Sequence, residues 1–460
     1  MKKQNNTSQQ SSPKTDTAQQ RSFRFFHTIH PAKLTLLGYL SYILLGWLLL
    51  CLPFVQRQTD VKTLDNLFIA TSAISTTGLA TVSISDNYNL VGQIIILLLI
   101  QLGGIGYMTL GSFVILSRKA DLPPVRSEVA LTVFSLPVSF RIDKFIKSVI
   151  MFTLFIELLG AVALYIIFHR AGQSDAVWSA LFHSISSFCT AGFSLYNNSF
   201  EGFAANFWVN VVVAALSYLG AIGFIVCVDF WRMLTGRIKN ITLTSKIILW
   251  ATFWLSLTGT ILLFLSEPSI RSLPADQRLL AAFFQSMTAM TTVGFNTIGI
   301  SQIAKGSLLL LIILMIIGAS PSGTGGGLKS TTFSAIIGVM KSAIRGDHQV
   351  RFWGRQVPLE RVWTAVASLG FYLLMLVLGT YLLDLTENSH FDEIFFEAAS
   401  ALGTVGLSTG ITASLSNIGK VIVILLMFCG RLGPLTFSIA LFLPKPYLRK
   451  QQDVQDDLAI

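Results

Sequence analysis

"SAISTTGLATVS", residues 72–83, places a threonine two positions before a glycine, between apolar neighbours. The pattern returns as "SSFCTAGFSLYN" at 186–197, "TAMTTVGFNTIG" at 288–299 and "SALGTVGLSTGI" at 400–411. The paired residues are Thr76 and Gly78, Thr190 and Gly192, Thr292 and Gly294, and Thr404 and Gly406, and each glycine is followed by Leu or Phe. Four copies at roughly hundred-residue intervals read as an internal repeat.

The surroundings repeat as well. Each signature follows a semi-polar stretch of about a dozen residues, too short for the ~20 that cross a bilayer core: "LDNLFIATSAIS", "VWSALFHSISSF", "LLAAFFQSMTAM" and "FDEIFFEAASAL". Apolar segments at 34–54, 90–116, 145–168, 207–231, 243–266, 306–319, 362–383 and 419–443 flank them. The unit is helix, short re-entrant helix, glycine loop, helix. The expected fold is an all-α integral membrane protein with eight transmembrane helices, built as four parallel helix–pore-loop–helix repeats around a central pore. Residues 31–120, 121–240, 241–350 and 351–445 form the repeats. Residues 1–30, rich in Gln, Ser and Thr, read as a disordered cytoplasmic tail, and 446–460 as a C-terminal cytoplasmic tail.

Composition agrees: 52% of residues are apolar and 12% charged, which excludes an ordinary soluble domain. The net charge of +10 is not a nucleic-acid surface. Its Lys and Arg residues cluster at the two ends and in alternate loops, at 118–147, 232–246 and 341–361. The positive-inside rule then puts both termini in the cytoplasm of a multi-pass protein, with anionic membrane lipids as contacts. Cys51, Cys189, Cys227 and Cys429 have unrelated spacings and read as packing residues, forming neither a disulfide nor a metal site.

Non-helical backbone at membrane depth is tolerated only inside protein or along a wet cavity, so four such loops imply a shared one. Glycine frees the backbone to turn carbonyl oxygens toward the axis, where a ring of them replaces a cation's hydration shell. The C-terminal ends of the short helices add partial negative charge. The predicted filter is Thr76, Thr77 and Gly78; Thr190, Ala191 and Gly192; Thr292, Val293 and Gly294; and Thr404, Val405 and Gly406, holding the ion by backbone carbonyls. The competing reading is glycine that only permits close helix packing; four aligned copies favour the filter.

"QLGGIGYM", "YLGAIGFI" and "FCGRLGPL" in the second helices of repeats one, two and four read as single helices with small packing residues. Repeat three alone is expected to break, at "GASPSGTGGGLKST", residues 318–331. Residues 306–319 would extend only ~21 Å as a helix, and 331–345 supply the second half. The stretch resembles a phosphate-binding loop, but Leu328 stands where that motif needs glycine before the lysine, and a helix precedes it in place of a strand. A membrane-embedded nucleotide-hydrolysing enzyme is therefore the weaker reading, and no nucleotide is expected on this chain. The preferred reading is a gating loop of Gly318, Ala319, Ser320, Pro321, Ser322, Gly323, Thr324, Gly325, Gly326, Gly327, Leu328, Lys329 and Ser330. Lys329 is either a gating charge or a solvated anchor.

Arg431 lies inside an apolar helix, where a lone arginine costs roughly 2.5–3.5 kcal/mol. It should face the cavity or a partner. At ~8 Å and an effective dielectric of ~20 it would repel a passing cation by about 2 kcal/mol. The alternative is an arginine that only bonds backbone carbonyls between repeats. "FSLYNNSFEGF" at 193–203 suggests no role on its own.

Four T-x-G loops, the broken helix with "SGTGGGLKSTT" and an arginine within "GRLGP" resemble the Trk/Ktr/HKT superfamily of potassium transporters over about residues 30–445. Eight spans resemble the KtrB-type or KtrD-type membrane subunit. The resemblance implies K⁺ uptake across the cytoplasmic membrane, Na⁺ as an activator, a homodimer with one pore per subunit, and a cytoplasmic nucleotide-binding RCK ring of the KtrA type. It matches the family's filter glycines to Gly78, Gly192, Gly294 and Gly406, its gating loop to Gly318–Thr331 and its pore arginine to Arg431. Glycine at 78, where plant relatives that favour Na⁺ carry serine, implies K⁺ preference. A Na⁺- or H⁺-coupled cation symporter on the same scaffold remains an alternative.

Overall fold

The computed structural model describes residues 31–57, 61–106, 142–347 and 349–442. The expected tails at 1–30 and 446–460, and most of the basic loop at 118–144, lie outside the described residues. The chain runs α1 (Pro31–Leu50), α2 (Thr63–Ile74) and α3 (Leu90–Ile105), then α4 (Ile142–Arg170), α5 (Ala176–Phe188), α6 (Phe207–Ala221) and α7 (Phe224–Leu234). It continues with α8 (Leu243–Ser266), α9 (Ala275–Thr291), α10 (Lys305–Ile316) and α11 (Ser330–Arg345). A strand pair, β1 (Arg351–Phe352) and β2 (Arg355–Gln356), precedes α12 (Leu359–Asp384), α13 (Phe391–Gly403), α14 (Asn417–Leu432) and α15 (Pro434–Phe442).

Among the described residues this is an all-helical membrane protein but for that hairpin, which the hydrophobic pattern does not reveal. Trp353 and Gly354 both take positive φ (46° and 77°), the turn geometry that suits a two-residue hairpin. Segments of α1, α4, α8 and α12 are long and apolar enough to cross a membrane. Leu44, Leu48, Phe155, Leu158, Phe253 and Val377 are exposed on them, as side chains facing hydrocarbon would be. The semi-polar helices α2, α5, α9 and α13 have 12, 13, 17 and 13 residues, and all end in buried residues.

Packing follows one scheme four times. A glycine on each long helix faces a leucine on the helix that follows the T-x-G loop: Gly46 on Leu99, Gly160 on Leu216, Gly259 on Leu314 and Gly379 on Leu426. A methyl group at any of these glycines would overlap the leucine, so the small residue sets the interhelical distance. One apolar core is drawn mainly from residues 39–295 and a second mainly from 263–429. The ends of the chain meet where Lys420 of α14 donates to Asp65 of α2 at 2.6 Å, both side chains buried.

The expectation that only repeat three has a broken second helix is overturned. The axes of α6 and α7 diverge by 96° and those of α14 and the helix after Gly433 by 103°. The bends fall on Gly223 (φ 87°) and Gly433 (φ 82°), and α3 likewise ends on Gly106 (φ 88°). Side chains other than glycine rarely reach that region. In all three motifs this glycine stands three residues after one that packs on the end of a short helix. Gly103, Gly220 and Gly430 lie against the carbonyls of Ile74, Phe188 and Leu402.

Candidate functional site

The short helices α2, α5, α9 and α13 end alike. The amide of the residue before each T-x-G glycine donates to a carbonyl five positions back: Thr77 to Ser72 (2.8 Å), Ala191 to Ser186 (2.8 Å), Val293 to Thr288 (3.1 Å) and Val405 to Ser400 (2.9 Å). This is the closing bond of a glycine-type helix cap, in which the residue before the donor takes the left-handed conformation. Here that residue is threonine four times, with φ of 52° at Thr76, 50° at Thr190, 59° at Thr292 and 49° at Thr404. A β-branched residue there is strained by roughly 1–3 kcal/mol. A helix that needed only a stop would carry glycine.

The next two residues bring the four loops together. A Cβ built on Gly78 would collide with the Ala191 carbonyl oxygen, one on Gly192 with that of Val293, one on Gly294 with that of Val405, and one on Gly406 with that of Thr77. The contacts run first to second to third to fourth and back to the first. Eight of the twelve residues expected at the site therefore form one closed ring, with Thr77, Ala191, Val293 and Val405 presenting backbone oxygens to their neighbours.

Three side chains that sequence reasoning passed over support this ring, and a fourth, Thr288, holds the same position with its hydroxyl unbonded. Ser72, Ser186, Thr288 and Ser400 stand six residues before the T-x-G glycines and open the four quoted segments. Ser72 and Ser400 accept from the amides of Gly78 and Gly406 at 3.1 Å, and Ser186 donates to the Phe193 carbonyl at 2.8 Å. The signal, a hydroxyl six residues before each glycine, is present in all four quoted segments.

The uninterpreted stretch 193–203 acquires a role. Ser83 donates to Asn197 (2.7 Å), which donates to Asp86 (2.9 Å). On the other side Asn296 donates to Glu201 (2.8 Å), and the Phe200 amide donates to the Asn296 carbonyl (3.0 Å). The loop ties the segments before and after it into a collar around the ring.

Beneath the threonines lies the glycine-rich stretch. Thr324 donates to the Phe188 carbonyl (3.0 Å) and shares a hydrogen bond with Thr190 (3.1 Å), while Thr76 donates to the Thr324 carbonyl (3.3 Å). Gly325 is pressed against Thr292 and Gly326 against Thr404, leaving no space for a Cβ. The loop thus touches all four threonines. Gly318 packs on Gly326 and Gly327, Leu328 donates to Ile316, and Ser320 bonds Ser330 at 3.0 Å, which pins both ends.

The break in the second segment has a purpose in this arrangement. The amides of Ser320 and Thr324 donate to the carbonyls of Ala221 and Gly220, and those of Phe224 and Ile225 to Ser322. The orphan backbone groups at two helix ends and in the loop satisfy one another, as burial away from water requires.

Two cations act on consecutive loop carbonyls. Lys329, half-buried at the start of α11, donates to Gly325 at 2.8 Å. Arg431 donates to the carbonyls of Thr324 and Gly103, to the Thr76 hydroxyl at 2.9 Å and to the Tyr39 hydroxyl at 3.1 Å. Arg431 is therefore tied to loop, ring and two other helices at once.

Comparison with known proteins accords with this geometry. The family model described as "TrkH: Cation transport protein" matches residues 46–450. The Ktr system potassium uptake protein B of Vibrio alginolyticus is 36% identical over 91% of this chain and 92% of its own. The potassium/sodium uptake protein NtpJ of Enterococcus hirae is 34% identical, covering 90% and 93%. The Ktr system potassium uptake protein D of Bacillus subtilis is 33% identical, covering 90% and 94%. The crystal structure of the potassium transporter TrkH from Vibrio parahaemolyticus superimposes with a TM-score of 0.69 at 22% identity, over 88% of this chain and 84% of that one, and so shares the fold. The chain is a multi-pass membrane protein of the TrkH family of cation transporters, which are not enzymes, and within it resembles the B-type proteins of Ktr systems.

Proposed function

We propose that this chain admits K⁺ to the cell through the ring formed by Thr76–Gly78, Thr190–Gly192, Thr292–Gly294 and Thr404–Gly406. The observation that carries the reading is the cyclic contact of each filter glycine with the next segment's carbonyl, since carbonyls gathered on one centre can replace a cation's water shell. The left-handed threonines support it, since backbone strain of this kind is retained at functional sites. The four segments act as repeats, α2, α5, α9 and α13 as pore helices, and the flanking elements as eight membrane spans with both termini in the cytoplasm. Entry runs down the membrane potential, worth about 2.3 kcal/mol per charge per 100 mV.

The loop Gly318–Ser330 is the gate, and Arg431 places a positive charge beneath the filter while fastening that gate. The Ktr systems named for several relatives support a chain that works with other components. In this reading the chain forms a homodimer whose cytoplasmic face carries a nucleotide-binding RCK ring of the KtrA type, with Na⁺ as activator. The printed name of the Enterococcus relative, a potassium/sodium protein, favours a second reading in which Na⁺ is also carried.

Rubidium uptake into cells lacking their own K⁺ uptake systems tests the function, with and without a cytoplasmic partner. No uptake by protein that reaches the membrane rejects it. Reversal potentials measured while K⁺, Na⁺ and pH are varied separate simple conduction from coupled transport.

A further inference from the structure

Nine residues before each filter glycine, the short helices carry Ile69, His183, Gln285 and Glu397, all fully or almost fully buried. In the last three the side chain turns toward the chain that leaves its own filter. The Glu397 carboxylate accepts from the hydroxyls of Ser408 (2.7 Å) and Thr412. Gln285 donates to the Ile298 carbonyl at 3.3 Å. His183 is held from behind, with Nδ1 at 2.7 Å from the Ser179 carbonyl, which can only accept. Nε2 is then left to accept from the Ser194 hydroxyl (3.0 Å) and the Leu195 amide (3.3 Å), and Tyr196 stacks on the ring at 4.8 Å.

One register position therefore ties the exit strand of three filters to the helix that enters them. The ties are unequal. Glu397 accepts from two hydroxyls, His183 from one hydroxyl and one amide, Gln285 makes one long bond, and Ile69 cannot make any. The first segment is instead gripped from outside, through Asn197 on Ser83. Filter carbonyls discriminate between cations only while their spacing is held, and these ties restrain the chain two to six residues beyond the filter glycines.

We propose that Glu397, His183 and Gln285 are positioning residues for ion selectivity, and that the Glu397 tie to Ser408 and Thr412 is the dominant one. This rests on reading the ring as a filter. The test is competition of K⁺ and Na⁺ against rubidium uptake by the full chain in cells deficient in K⁺ transport. Partners just outside a bound cation's own ligands are typically worth ten- to a hundredfold, so Glu397→Leu is expected to lower the K⁺ to Na⁺ affinity ratio by roughly that factor. The K⁺ KM should rise more than the maximal rate falls. Glu397→Gln keeps the length and one acceptor and should recover part of the ratio. His183→Leu and Gln285→Leu should shift it less.

A wild-type ratio in membrane-inserted Glu397→Leu overturns the proposal. Should that variant fail to reach the membrane, the pair Ser408→Ala with Thr412→Val removes the same bonds from the outer side and leaves the helix unchanged; an unaltered ratio there is equally decisive. A wild-type chain without K⁺ uptake would remove the filter reading itself, whereas a selective wild type with unchanged variants removes this inference alone.

Discussion

Arg431 donates through Nη1 both to the carbonyl of Thr324 in the glycine-rich loop and to the hydroxyl of Thr76 beside the carbonyl ring, so one guanidinium bridges loop and ring. The sequence offered two readings, a charge that repels cations and a side chain that bonds backbone between segments. The observed contacts include the second, and they place the charge directly under the ring. Arg431→Ala should raise rubidium flux by freeing the loop and lowering the local positive potential. Hydrogen bonds to charged groups contribute about 1.5–3 kcal/mol each, so a rise of roughly tenfold or more is expected. Loss of the protein from the membrane would instead make Arg431 a strut of assembly.

The loop is closed by a fit that leaves no spare volume. Gly326→Ala would drive a methyl group into the Thr404 side chain, and only displacement of the loop relieves the overlap. Uptake without the cytoplasmic partner should increase, as it should when 320–328 is shortened. Unchanged flux in correctly inserted protein would show that the loop is not the barrier.

Gly78 has φ of 94° and lies against the Ala191 carbonyl. Gly78→Ser adds both backbone strain and a Cβ at this contact. The K⁺ to Na⁺ ratio should fall, by about tenfold for each ~1.4 kcal/mol of lost discrimination. Unaltered selectivity in competition assays would refute the carbonyl-ring argument.

Lys420 and Asp65 close the molecule between its first and last segments, buried together at 2.6 Å. Lys420→Met leaves the carboxylate without its cation, a change that typically costs about 3–5 kcal/mol. A pair of apolar substitutions, Asp65→Leu with Lys420→Met, should recover most of that loss. Thermal unfolding in detergent, read for the single and paired variants, checks both expectations.

Asn197 donates to Asp86 in the exposed collar and holds its carboxyl below the usual carboxylate range. A depressed folded value stabilises the protein above the unfolded value, and the contribution disappears as pH falls through the folded one. The difference in melting temperature between wild type and Asn197→Ala should therefore be present at neutral pH and vanish in acid. A difference that persists in acid would mean the contact is not electrostatic.

Much of this protein was legible along the chain, because the decisive signals are local. Hydropathy and length marked the long apolar helices α1, α4, α8 and α12, and four T-x-G signatures after short semi-polar helices located the ring residues. Backbone conformation at Gly78 or Thr76 follows from a few neighbours, as does the cap that ends each short helix. The same locality misled for the second helices. "YLGAIGFI" reads as continuous helix, and only the loop from the third segment, bonding to both ends of the break at Gly223, shows why the helix bends there. Likewise "FSLYNNSFEGF" has no local meaning, since its partners Ser83, Asp86 and Asn296 lie in other segments. The partners of Arg431 stand 107 to 392 positions away. Sequence by itself determined which backbone could turn inward, through glycine and the length of each helix. The tertiary structure decided which carbonyls meet and which charge holds the loop, because those contacts exist only once distant segments have packed around one axis.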